Sequence, residues 1–115
     1  MQFRFYIGVT VIETIELNSA DNSLFRKYIK GSTLLALCDA SGAPFTVLLP
    51  DPRSLEDVQL IIKKVDSSPN VVTVATRLPS QTIDGSLTEV LSSQWSCALI
   101  FPWVKTNQFI VGSRI

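Results

Sequence analysis

The chain contains no histidine. That absence removes the commonest general base, the Ser–His and Cys–His nucleophile pairs, and most zinc and iron sites. Cysteine is almost as scarce, with Cys38 and Cys97 the only two. They are too far apart for a Cys-x-x-Cys motif, and two thiols alone do not make a zinc site. Each lies in an apolar run, Leu34–Cys38 or Ser96–Ile100, so both are expected to be buried thiols acting as small hydrophobes. A disulfide between neighbouring strands stays open at this level. The five glycines are scattered as turn formers, and no Gly-rich phosphate loop is present. Charge of one sign is missing too: ten basic and ten acidic residues give a net charge of zero. No strong field is therefore available to draw in nucleic acid or an anionic membrane. No apolar run approaches the ~20 residues needed to cross a bilayer. Met1-Gln2-Phe3-Arg4 leads into alternation, not into the continuous apolar core of a secretory leader. A soluble chain made in the cytoplasm is expected, with neither nucleic acid nor membrane as partner.

Carboxylate pairs are the remaining route to hydrolysis. Glu56 and Asp57 are adjacent in a loop, and Glu13 and Glu16 point to opposite faces of a strand. Asp66 and Asp84 sit in turns, where a carboxylate usually bonds local backbone. No enzyme, cofactor or metal site is expected.

What is present is apolar surface. Hydrophobic residues make up 46% of 115 residues against 17% charged, with a mean hydropathy of +0.29. One domain of this length cannot hide every apolar side chain, so part of its surface is expected to be covered by other chains.

The periodicity is that of strands. Phe3, Phe5, Ile7, Val9, Val11, Ile15 and Leu17 alternate with Arg4, Tyr6, Gly8, Thr10, Thr14 and Glu16 over an unusual length. This stretch is either an ordinary first strand with a bulge or an arm pairing with a neighbouring subunit. Ser23–Gly31 has the marks of one or two helical turns ending at Gly31, and its Arg26, Lys27 and Lys30 form the only local basic cluster. Ser32–Cys38 is a continuous apolar run that suggests burial on both faces. Ala43–Leu49 returns from the Asp39-Ala40-Ser41-Gly42 turn. Val58–Val65 and Val71–Thr76 flank Asp66-Ser67-Ser68-Pro69-Asn70 and read as a hairpin. Arg53–Asp57 reads as a loop or single helical turn with Ser54 as cap. Short strands follow near 86–91, 95–101 and 108–111. Such spacing predicts an all-β fold: a single antiparallel β-sandwich or barrel-like domain, with an extended N-terminal arm and at most one short helix. The expected division is residues 1–31 for the arm and short helical turn, and 32–115 for a compact body.

Several pieces fall in a familiar order: Asp39-Ala40-Ser41-Gly42, Thr46-Val47-Leu48-Leu49-Pro50, Ile61-Ile62-Lys63-Lys64-Val65-Asp66-Ser67-Ser68, Thr82-Ile83-Asp84-Gly85-Ser86 and Phe109-Ile110-Val111-Gly112. In order and spacing, residues 33–112 resemble the all-β module of tailed-phage virion proteins: head decoration (cement) proteins, tail fibres and spikes. The chain departs from that pattern at Pro44-Phe45 and Arg77-Leu78-Pro79. The resemblance implies a non-enzymatic, homotrimeric structural protein, and the short length favours a decoration protein on the capsid surface of the virion over a whole tail fibre. Its partners would be the major capsid protein and copies of itself. Phe3, Phe5, Tyr6, Phe25, Arg26, Lys27, Lys30 and Trp103 are the candidate contact residues, Trp103 because tryptophan is enriched at interface centres. The alternative is a fibre or spike module binding host carbohydrate through loop aromatics. A third reading is a carbohydrate-binding module of a larger assembly.

Overall fold

The structure, a computed structural model, describes residues 12–114. In them the apolar alternation produces eight strands: β1 Ile12–Asn18, β2 Thr33–Asp39, β3 Phe45–Leu48, β4 Gln59–Lys64, β5 Val72–Ala75, β6 Thr88–Leu91, β7 Cys97–Trp103 and β8 Gln108–Arg114. They form a five-stranded sheet in the order β1-β2-β4-β7-β8 and a three-stranded sheet in the order β3-β5-β6. The fold is all-β and sandwich-like. Leu34, Ala36, Leu60, Ile62, Ala98, Ile100 and Phe109 from the larger sheet meet Phe45, Val47, Val72, Val74 and Leu91 from the smaller one in a single core. The first part of the long alternating stretch, with Phe3, Phe5 and Tyr6, lies outside the described residues. Its end, β1, is the edge of the larger sheet and sends Leu17 into the core.

Strand directions depart from the expected antiparallel pairing. β4–β7, β5–β6 and β7–β8 are antiparallel, but β1–β2, β2–β4 and β3–β5 are parallel. The expected hairpin at residues 58–76 is not one. Its strands lie where the residues predicted, but β4 belongs to the larger sheet and β5 to the smaller. The same holds for β2 and β3. Each of these connections crosses the sandwich, about 10 Å from sheet to sheet, instead of folding back within one sheet. The chain thereby winds through β2, β3, β4 and β5 as two turns of a flat coil. Thr33 comes beside Gln59 and Phe45 beside Val72.

A crossing of this kind has no cross-strand ladder, so its corner must satisfy backbone groups another way. Here the second corner satisfies the first. Ala40 N–H donates to Asp66 Oδ1 at 2.7 Å, and Asn70 Nδ2 donates to Ala40 O at 2.8 Å. Asp66 also accepts from Ser68 N–H at 3.0 Å, from the Ser68 hydroxyl, and from Lys64 Nζ at 2.6 Å. The Lys64 side chain is fully buried and that of Asp66 is 7% exposed. Burial opposes ionisation of Asp66, but the hydrogen bonds from Lys64, Ser68 and Ala40 outweigh it and hold the carboxyl well below the usual carboxylate range.

Two smaller expectations also change. Ser23–Lys30 is not helical. Ser23 Oγ accepts from Phe25 N–H, Leu24 is fixed in the core, and Gly31, at φ 81°, donates its N–H to Asp57 O. A helix this short holds only if packing favours it, and here packing favours the extended path. The turn after β3 is a 3-10 turn at Pro52–Leu55 capped by Asp51, which accepts from Arg53 N–H, while the expected cap Ser54 donates its hydroxyl to Asp51 O.

Both cysteines are free. Cys38 faces the core and Cys97 lies on the outer side of its sheet, paired with Lys63. Opposite faces of one sheet exclude a disulfide between them. Burial, reinforced by the Asp66 charge, pushes the Cys38 thiol up to about 12. A thiol reagent is therefore expected to label Cys97 in the native chain and Cys38 only after unfolding. Equal native labelling rates would contradict this placement.

Asp66→Asn leaves Lys64 buried without its counter-charge, and is expected to lower unfolding free energy by about 3–5 kcal/mol in urea titrations. The folded-state carboxyl titrates below its unfolded value, near ~3.9. Its stabilisation is thus complete above that value and is lost as pH falls further. Melting temperatures of the wild-type chain should drop over that acidic range, and the drop should be smaller for Asp66→Asn.

Candidate functional site

With the register fixed, strand alternation decides what faces outward. On the larger sheet, Leu34, Ala36, Leu60, Ile62, Ala98 and Ile100 point to the core. Their neighbours Leu35, Leu37, Ile61, Leu99 and Phe101 point away from it. Leu35 stands beside Ile61, and Ile61 beside Leu99, so an apolar row crosses the three central strands. Cross-strand neighbours of this kind lie about 4.5–5.5 Å apart. Phe101 pairs with Ile110 on β8, and Trp103 ends the same side of β7. Among the described residues no strand lies over this face. Phe101 is 37%, Ile110 41% and Trp103 47% exposed.

Two local devices shape the face. Trp95, 54% exposed, adopts φ 71°, a left-handed conformation that costs a non-glycine residue about 1–2 kcal/mol. Its N–H donates to Lys64 O at 2.7 Å, and Lys63 Nζ sits 5.8 Å from its ring centroid. The indole is thereby held against the one cation of the sheet's central rows. At the other side β8 bulges opposite Leu99 and Ile100. Gly112 lets the Phe101 ring lie across the strand there, since a Cβ at that position would come 2.5 Å from Phe101 Cε2. Beside Phe101 is an open depression of about 480 Å3, walled by Gly31, Ser32, Asp57, Val58, Gln59 and Pro102.

The sequence-predicted contact residues are spread. Trp103 is part of this face. Phe25 lies across the molecule, in a groove with Leu24, Thr46 and Leu48 beside edge strand β3, and the Arg77 guanidinium stacks 5.6 Å from its ring centroid. Arg26 reaches Glu13 at 3.7 Å and Lys30 reaches Glu56 at 2.9 Å, while Lys27 is exposed. The basic cluster is therefore partly neutralised by acids distant in sequence. Nearby, burial pushes the Tyr28 hydroxyl up to about 12, with Arg26 opposing and Glu13 adding, and the hydroxyl donates to Leu24 O at 2.6 Å.

The Thr82–Ser86 turn is structural. Ile83 is in the core, and Asp84 docks on β8 through its N–H to Phe109 O and by accepting Val111 N–H at 3.0 Å. Arg114 then clamps Asp84 and Glu89, tying β8 to β6. Among the described residues no group of three or more His, Cys, Asp or Glu side chains could hold a metal ion. Compared with protein-family models, curated proteins and solved structures, the chain matches none.

The outer face itself was signalled by the Leu34–Cys38 run. That run has apolar residues at both parities, and only one parity is buried in the core. Gly112→Val should lower stability by about 1–3 kcal/mol by displacing the Phe101 ring. In a Phe101→Ala background the same change should cost much less, read as a double-mutant cycle in urea. An unchanged cost would show that the ring contact is not its origin.

Proposed function

We propose that this chain is a non-enzymatic structural protein of a tailed-phage virion, a head decoration protein that binds the capsid surface and stabilises the shell. The observation that carries this reading is the apolar outer face of the five-stranded sheet, over which no strand lies among the described residues. The phage-module resemblance supplies the setting, with the major capsid protein as partner. Five strands at about 4.8 Å spacing, six residues long in β4 and seven in the others, at about 3.3 Å per residue give a face of at most about 24 by 23 Å, or roughly 550 Å2. Only the apolar, still accessible part of it counts at about 25 cal/mol per Å2, so covering it yields less than ~14 kcal/mol before the costs of association. Repeated over a shell, contacts of that size resist the outward pressure of packed genome without any chemical step.

A second reading, a fibre or spike module for host carbohydrate, is favoured by the exposed Trp95, Phe101 and Trp103 rings and by Ser32, Asp57 and Gln59 in the wall of the depression beside Phe101. Copy number separates the two. Densitometry of purified particles should show the chain at a level comparable with the major shell subunit, and shells stripped of it should break at lower temperature or on dilution. A handful of copies per particle would favour the fibre reading, and absence from particles would overturn both.

A further inference from the structure

The outer face of the larger sheet is apolar along its central rows, with few charges, and a partner for it must share those properties. Its central rows carry one cation, Lys63, and one anion, Glu16. Both stand in a single row, Glu16 beside Leu37 and Leu37 beside Lys63. A basic or acidic surface would find no opposite field there. A second copy of the same face meets the requirement, because a two-fold axis running along β2 sets Leu37 against Leu37 and brings Glu16 of each copy opposite Lys63 of the other. The area sets the strength: roughly 550 Å2 of sheet per partner is below the ~800 Å2 of a standard interface and fits a weaker, concentration-dependent pair. Sheets also pack face to face readily, about 10 Å apart.

We propose that two copies of this chain pair through the outer faces of their five-stranded sheets, with Leu35, Leu37, Ile61 and Leu99 at the centre of the interface. The pairing is isologous and closes at two copies. It accounts for the double-sided apolar pattern of β2: one parity fills the core of its own chain, and the other meets the neighbour. It leaves the Phe25–Leu48 groove and Lys27 on the outside of the pair, available to a larger lattice. This inference rests on the reading of the chain as a structural protein of the virion, and it gives the apolar face to a second copy, so that contact with the shell falls to the opposite side of the molecule.

The test is the solution mass of the full chain by sedimentation, with native Cys97 alkylation as a footprint. A two-copy mass is expected, with Cys97 alkylation slowing as concentration rises through the dissociation constant. Ile61→Glu and Leu99→Lys each place a charge in the buried centre, and should weaken pairing by roughly 100-fold or more. Val90→Glu, on the exposed side of β6, should leave the two-copy mass unchanged. Circular dichroism of each variant monitors folding, and either central variant suffices if the other fails to fold.

A one-copy mass at high concentration overturns the proposal. So does a three-copy mass, or a pair that survives both central substitutions. A chain that stays single while its Cys97 becomes protected on particles overturns the pairing but keeps the attachment reading. A chain that neither pairs nor attaches overturns both.

Discussion

The structure depends on a buried ion pair at a corner. Lys64 and Asp66 lie where the chain leaves one sheet for the other, and together with Ser68 and Asn70 they supply the hydrogen bonds that a hairpin would have found in its own ladder. A buried pair of charges contributes little net stability when desolvation is counted against attraction. What it contributes here is position. Two apolar side chains of the same volume would fill the space, but would leave Ala40 N–H unpaired, at about 1–3 kcal/mol for a buried donor. The carboxylate therefore selects one stacking of the second corner on the first.

That choice propagates to the surface. Once Leu34 stands beside Leu60, the alternation of both strands is fixed, and a slip by one residue would exchange the core set for the outer set. Because β2 is apolar at both parities, such a slip is weakly opposed by burial alone. Polar pairing at the corner is what makes the register unique, and so what places Leu35, Ile61 and Leu99 in one row outside. The same row is the basis of the functional reading. A sheet face this apolar is rare on a free-standing small domain, and it has the composition of an interface centre.

The sequence showed some of this and concealed the rest, for reasons that differ by residue. Strand positions followed from alternation and turn residues, as at Val71–Thr76, because side-chain period is a local property. Partners did not follow. Nothing local in Asp66-Ser67-Ser68-Pro69-Asn70 distinguishes a turn that folds back from one that crosses over, since both use the same turn-forming residues. The difference lies in Ala40, far away in sequence, whose backbone the loop side chains meet. Ser23–Lys30 carried helix signals, but Leu24 had a better place in the core. The basic cluster looked unopposed only because Glu13 and Glu56 lie beyond its sequence window. The outer face was foreshadowed by the two-sided run at Leu34–Cys38, although burial on both sides describes β2 only when something beyond the described fold covers it.

The coil formed by β2 to β5 has a further implication for how such a chain changes length. Its two turns stack in the same sense, each offering a parallel edge to the next, so the repeating unit is a whole circuit through both sheets. Gain or loss of a complete circuit would preserve every inward and outward assignment above and below it. Deletion of a single residue within β4 would invert them. Insertions that this architecture tolerates are therefore expected as full rungs or within the loops between them.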